Sequence, residues 1–180
     1  MFKDFDISSF KKKKPPSNSS FTTMQEVKEL TKIPMNRKFI KENDDIESVF
    51  KKVAKKKKIK DYNPKLTVDL IKESAPIILD LKKHFNRPRP KSMAKKLNIK
   101  MDDIEMDSMK TPSYPSGHSA QGFLIAKVLS DKHPQAKSAF AKAAKNISYS
   151  RNVAHAHYKS DSKMGEKLGK EMYNHIKNKI

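Results

Sequence analysis

The amino-acid sequence predicts an all-α fold, a single-domain helical bundle. Apolar residues recur at steps of three and four along its long segments, which is the stripe of a core-facing helix. No stretch shows the sustained every-second-residue alternation of a strand. The chain has 180 residues, a length that one hydrophobic core can organise.

Taken in order, KKKKPPSNSSFTT reads as a loop by composition, and TMQEVKELTK as a short helix. Thr23 or Thr22 is expected to cap that helix, with Glu26 in its first turn. Residues 43–60 read as a basic helix that DYNPK, 61–65, brings to an end. Residues 1–60 are thus expected to be a basic N-terminal extension, helical or partly mobile, ahead of a core spanning 61–180.

In LTVDLIKESAPIILDLKKHF, Val68, Ile71, Ala75, Ile78 and Lys82 step by threes and fours, and Leu70, Ile77 and Leu81 widen the stripe. Pro76 is expected to bend this helix or mark a junction. Lys82 extends the apolar side, which a solvated lysine has no reason to do. Residues 91–110 read as a loop with a short helix. A further helix follows SGH, with His118, Gly122, Ile125 and Leu129 on one face. From Ala136 to about Lys179 a last pattern runs through Ile147, Arg151, Ala154, His157, Asp161, Met164, Leu168 and Met172.

Forty Lys and Arg against twenty Asp and Glu give a formal charge of +20. Such a field draws nucleic acid, an anionic membrane or anionic small molecules, and does not choose among them. The absence of cysteine excludes disulfides, thiol chemistry and thiolate metal sites. MFKDFDISSFKKKK lacks the apolar run of a signal peptide, and APIILDL and GFLIAKVL are too short to span a bilayer. The expectation is a cytoplasmic or otherwise soluble protein.

Three segments gather the chemistry: KKHFNRPRP from Lys82, PSGH from Pro115, and SRNVAHAHYKSD from Ser150. They hold Lys82, Arg89, Ser116, His118, Arg151, His157 and Asp161. Two arginines and a lysine brought to one point call for an anion with several oxygens, since guanidinium forks fit tetrahedral oxyanions. The Ser116–Gly117–His118 turn opens a helix whose free N–H groups suit the same anion. Arg87 reads as solvated or supporting. His84, His133 and His175 read as incidental. His155 stands open between supporting and incidental.

These pieces resemble the type 2 phosphatidic acid phosphatase (PAP2) superfamily, which shares its site with vanadium haloperoxidases. Its pattern is Lys, six residues, Arg-Pro; then Pro-Ser-Gly-His; then Ser-Arg, five residues, His, three residues, Asp. All three occur here in order at matching spacing, and the likeness runs from about residue 70 to about 175. NRPRPKS and the stretch around SYPSGHSAQG look most similar to soluble bacterial class A non-specific acid phosphatases. The resemblance implies a PAP2/haloperoxidase-type bundle with its site at helix ends.

Carried over residue by residue, Lys82, Arg89 and Arg151 match the phosphate-oxygen ligands, with Ser116 and the Gly117 amide completing the cradle. His157 matches the nucleophile that forms a phosphohistidine, Asp161 the carboxylate that orients it, and His118 the general acid and base. The resemblance implies hydrolysis of a phosphorylated small molecule with no metal and no cofactor, vanadate acting as inhibitor. General chemistry agrees: an aimed neutral imidazole attacks well, and fixed cations stabilise charge on the phosphoryl oxygens.

The chain departs from those phosphatases in carrying His155-Ala156-His157-Tyr158 where they commonly have Gly-Tyr-His-Trp. The helix there is expected to break differently or to run on. Only His157 keeps the required spacing to Arg151 and Asp161. Other readings are a lipid-phosphate or pyrophosphate phosphatase, or a haloperoxidase with vanadate as cofactor. From another class comes a basic nucleic-acid-binding protein with a relic site. Nucleic acid is not expected as an obligate partner, while the charge allows peripheral contact with anionic surfaces.

Overall fold

The computed structural model describes residues 1–102 and 104–180. Asp103, within the expected loop of 91–110, lies outside the described residues. Helices α1 (Ile7–Lys11), α2 (Phe21–Thr31), α3 (Arg37–Glu42) and α4 (Ile46–Lys56) come from the first third of the chain. They are followed by α5 (Pro64–Phe85), α6 (Pro90–Lys96), α7 (Gly117–Lys132), α8 (Lys137–Val153) and α9 (Lys159–Ile176). Short 3-10 turns cover Asp107–Lys110 and Pro134–Ala136, and the described residues contain no strand.

Local sequence sets most boundaries. Asp6, Ser20, Asn36, Asp45, Asn63 and Ser116 each accept a hydrogen bond from a first-turn amide and so start a helix. The cap of α2 is therefore Ser20, which accepts from Thr23 N at 3.1 Å, rather than Thr22 or Thr23. Thr23 instead donates its hydroxyl to Ser17 O at 2.7 Å. Pro64 occupies the first turn of α5, where its missing N–H costs nothing. The helix continues through Pro76 and stops at Asn86, whose φ of 45° is left-handed.

The pattern expected from 136 to 179 divides into α8 and α9. Residues 154–158 turn between them, with His155 at φ 54°. Histidine is among the side chains that tolerate this region, so the turn needs no glycine. Its ring holds the turn in place, with Nδ1 2.7 Å from Asp102 O and Nε2 2.9 Å from Ile33 O. His155 is thus a structural fixture of the break.

α7 is the central helix, burying Ala120, Leu124, Ile125, Val128 and Leu129 against α8 and α9. Two glycines of α9 bring its backbone onto α7. A Cβ on Gly165 would meet Ser116 O at 2.4 Å, and one on Gly169 would meet Ala120 O at 2.2 Å. The first sixty residues join the same packing. Phe10, Ile46, Val49 and Phe50 enter the main core, while Ile40 packs with Val153, Ala154 and Ala156. Among the described residues, no helix is long and apolar enough to cross a membrane.

Candidate active site

Five helix ends converge at one end of the bundle. Lys82 lies in the last turn of α5, Arg89 is the N-cap of α6, and Ser116 that of α7. Gly117 and His118 begin α7, Arg151 lies in the last turn of α8, and Asp161 in the first turn of α9. His157 sits in the turn between α8 and α9. Lys82, Arg89, Ser116, Arg151, His157 and Asp161 are all buried, and a buried group of three cations requires fixed partners.

His157 is oriented from both sides. Its Nδ1 lies 3.1 Å from Asp161 Oδ2, and its Nε2 lies 3.0 Å from Arg89 Nη1. Arginine only donates, so Nε2 is the acceptor and Nδ1 carries the proton toward the carboxylate. Burial, with the nearby charges of Arg89 and Lys82, pulls the imidazole down to about 3 despite the Asp161 hydrogen bond. The ring is neutral, with its lone pair at Nε2.

Asp161 collects four donors. Besides His157 it accepts from Tyr158 N at 3.1 Å, from Arg87 Nη1 at 2.7 Å and from the Ser113 hydroxyl. Burial alone would raise this carboxyl. The His157 hydrogen bond, the Arg87 charge and the Ser113 hydroxyl outweigh burial and hold it below the usual range. Arg87 is therefore buried support rather than solvated surface. It lies 3.8 Å from the centroid of the Tyr158 ring, also donates to Ser160 Oγ at 2.8 Å, and pairs with Glu26 at 3.3 Å. Glu26 Oε1 accepts from Ser160 N at 2.7 Å, so α2 reaches the back of the His157–Asp161 pair.

The cations are held mostly by backbone carbonyls. Lys82 Nζ donates to Pro112 O at 2.7 Å, leaving two of its three N–H groups. Burial first, and then the charge of Arg89, pull it down to about 7, with Asp161 opposing. Arg89 donates to Thr111 O at 2.8 Å, Ser108 O at 2.7 Å and Ala156 O at 2.9 Å. Its guanidinium is lowered by burial to about 10 and stays charged. Arg151 is different, because Asp44 Oδ1 accepts from its Nη1 at 2.8 Å.

A cavity of about 230 Å³ opens over Lys82, Gly117, His118 and His157. Beside it a larger cleft of about 1000 Å³ is bounded by Asp44, Arg89 and His118. His118 lines both. Ser116 caps α7, accepting from Ser119 N at 3.3 Å, and its own N–H donates to Asp161 O at 3.1 Å. A Cβ on Gly117 would lie at ordinary contact distance, 3.4 Å from Ile78 Cγ2 and 3.9 Å from Lys82 Cε. The structure thus brings all eight sequence-predicted residues to one end of the bundle. Arg151, bounding neither cavity, faces Asp44. Sequence reasoning missed Asp44, Ser113 and the Glu26–Arg87 pair.

This arrangement suits transfer of a phosphoryl group: a neutral, oriented imidazole, three cations, a helix N-terminus, and a second histidine on the rim of the cavity. Comparison with known proteins agrees with it. The sequence profile of the PAP2 superfamily matches residues 70–169. Non-specific acid phosphatases of Salmonella typhimurium (strain LT2) and Salmonella typhi are 35% and 34% identical to it over 88 residues. That stretch is 49% of this chain and only 35% of each relative. The crystal structure of the first transmembrane PAP2 type phosphatidylglycerolphosphate phosphatase from Bacillus subtilis shares the fold. It superposes with a TM-score of 0.62 and 16% identity over 99% of this chain and 96% of that one. With the profile covering more than half of its residues and the three motif segments folded together, the chain belongs to the PAP2 superfamily.

Proposed function

We propose that the protein is a metal-independent phosphatase that hydrolyses phosphate monoesters through a phosphohistidine on His157. The observation that carries this reading is the pair of contacts on the His157 ring, with Nδ1 toward Asp161 and Nε2 toward Arg89. An incoming phosphoryl oxygen takes over the Arg89 N–H, and the freed Nε2 lone pair then faces phosphorus. Family membership and the Salmonella phosphatases support the reaction class.

In the first step Nε2 attacks phosphorus, the P–N bond forms, and the ester P–O bond breaks with its electron pair on oxygen. His118 gives that oxygen its proton. Lys82, Arg89, Arg151 and the Ser116–Gly117 turn stabilise the equatorial oxygens as charge builds there. Asp161 balances the positive charge on His157. In the second step His118 accepts a proton from water, which attacks the phosphohistidine and releases phosphate.

The test is hydrolysis of p-nitrophenyl phosphate from pH 4 to 8 with excess EDTA, with and without micromolar vanadate, beside His157→Ala. Turnover that ignores EDTA, collapses with vanadate and is absent from the variant is expected. Folded His157→Ala that turns over at the wild-type rate would remove His157 as nucleophile. Loss of activity in EDTA would remove metal independence.

A further inference from the structure

Building on the hydrolase reading, we propose that Asp44, in the turn between α3 and α4, is the positioning residue that keeps His118 a proton donor. Asp44 precedes the cap of α4 and lies outside the 70–169 stretch matched to the superfamily.

The geometry is a short chain of contacts. His118 Nε2 is 2.9 Å from the Asp44 backbone oxygen and 3.4 Å from its Oδ1. That same Oδ1 accepts from Arg151 Nη1 at 2.8 Å. One carboxylate oxygen therefore ties a phosphate ligand to the acid. Neither a carbonyl nor an ionised carboxylate can donate, so Nε2 must hold a proton. A ring committed in this way can protonate a leaving oxygen only from Nδ1, and only as the doubly protonated cation. After the transfer it is the neutral Nε2–H tautomer, ready to accept a proton from water at Nδ1.

The surroundings oppose that cation. Lys82 shares the smaller cavity with His118, Arg151 meets the same Asp44 oxygen, and Arg89, Lys91 and Lys110 bound the larger cleft. Glu105 and Asp107 also line the cleft, and Lys110 pairs with Asp107 at 2.9 Å. His157, the other titratable group in the smaller cavity, is neutral. Among the described residues, Asp44 is the acid within ion-pair distance of His118. A carboxylate there offsets the cations and favours the imidazolium. The His118 hydrogen bond, followed by Arg151, holds the Asp44 carboxyl at about 2 against burial, so its charge survives in acid.

The site then contains two Asp–His pairs with opposite effects. Asp161, satisfied by Arg87 and Ser113, orients a neutral nucleophile. Asp44, half-exposed and sharing its oxygen with Arg151, supports a charged acid. The competing idea is that Asp44 merely occupies the seat of the substrate on Arg151. That idea predicts a faster enzyme when the charge is removed, and so the opposite sign.

The experiment compares Asp44→Asn with wild type, measuring kcat/KM for p-nitrophenyl phosphate and for a simple alkyl phosphate across pH 4–8. General-acid assistance is worth on the order of 100-fold or more when the leaving group is poor. We expect about 10- to 100-fold loss for the alkyl ester, against less than about fivefold for the nitrophenyl ester. Histidine ¹⁵N NMR of the intact protein should show neutral His118 as the Nε2–H tautomer. Asp44→Glu, which restores a carboxylate, should recover part of the alkyl-ester rate, and serves if the Asn variant does not fold. Equal losses on both esters, a rate increase, or a His118 found as the Nδ1–H tautomer would each overturn the proposal while leaving an active wild type. Wild-type inactivity on both esters would instead overturn the hydrolase reading, and the proposal with it.

Discussion

Within the proposed phosphate cradle, Lys82 is the cation whose charge changes near neutrality, and its replacement gives the sharpest test of the electrostatics. Burial in the last turn of α5 and the charge of Arg89 bring it from 10.5 down to about 7. Below that pH it is an ammonium, the form the proposed function needs for a phosphoryl oxygen; above it the site loses a unit of charge. On a simple titration about nine-tenths of the enzyme carries the charge at pH 6 and about one-tenth at pH 8, so kcat/KM should fall roughly tenfold across that interval. This parameter reports groups of the free enzyme, and the substrate's own second ionisation near pH 6 is the same for every variant. Lys82→Arg separates the two sources, since a guanidinium stays charged throughout. The assay is p-nitrophenyl phosphate hydrolysis from pH 5 to 9 at fixed ionic strength, read after alkaline quench. The alkaline limb should move from about 7 to beyond pH 8 in the variant. A folded, active Arg variant whose limb stays at 7 would refute the assignment of that limb to Lys82.

Three more predictions follow from the same burial. Lys82→Met should abolish turnover yet stabilise the fold, by about 5 kcal/mol at most from a shift of about 3.5 pH units. The folded state binds this proton less tightly than the unfolded state, so the penalty is fully present below pH 7. It fades as pH rises toward 10.5, and urea unfolding at pH 6 and pH 9 should show the gain shrinking. Arg87→Ala strands Asp161 and Glu26 without their buried partner and should cost about 3–5 kcal/mol in denaturant unfolding. Gly169→Ala pushes a methyl into Ala120 O, and should cost about 1–3 kcal/mol by the same measurement.

The sequence pointed to this cluster where chemistry and helical spacing coincide. Arg151, His157 and Asp161 keep steps that bring them close whether or not the helix breaks between them. Lys82 showed itself by lying on an apolar stripe, and it is buried. The break itself was hidden, because the three-and-four pattern runs straight across 154–158 and no glycine marks it. His155 makes the turn, held by carbonyls of Ile33 and Asp102 that are remote in sequence. Distance along the chain also hid Glu26 and Asp44. In a chain with 60 charged side chains, one acid on a short helix or in a turn has no signature of its own. Arg87 was ambiguous beside Arg89 for the same reason, since only the Glu26 and Asp161 carboxylates decide its burial.

Those hidden residues change how the site is understood. Backbone carbonyls already fix Lys82 and Arg89 before any anion arrives, and carbonyls hold a cation without neutralising it. Such a cradle keeps its field for the substrate, which is the condition for stabilising a transition state without reorganisation. Arg151 alone of the three buried cations has a carboxylate partner within hydrogen-bond distance, among the described residues, and that carboxylate also faces His118. Glu26 and Asp44 both come from the first third of the chain, which lies before the superfamily match begins at residue 70. One stands behind the His157–Asp161 pair and the other beside His118. The first third of the chain therefore places a carboxylate on either side of the cluster, while the matched region holds the groups proposed to meet phosphate.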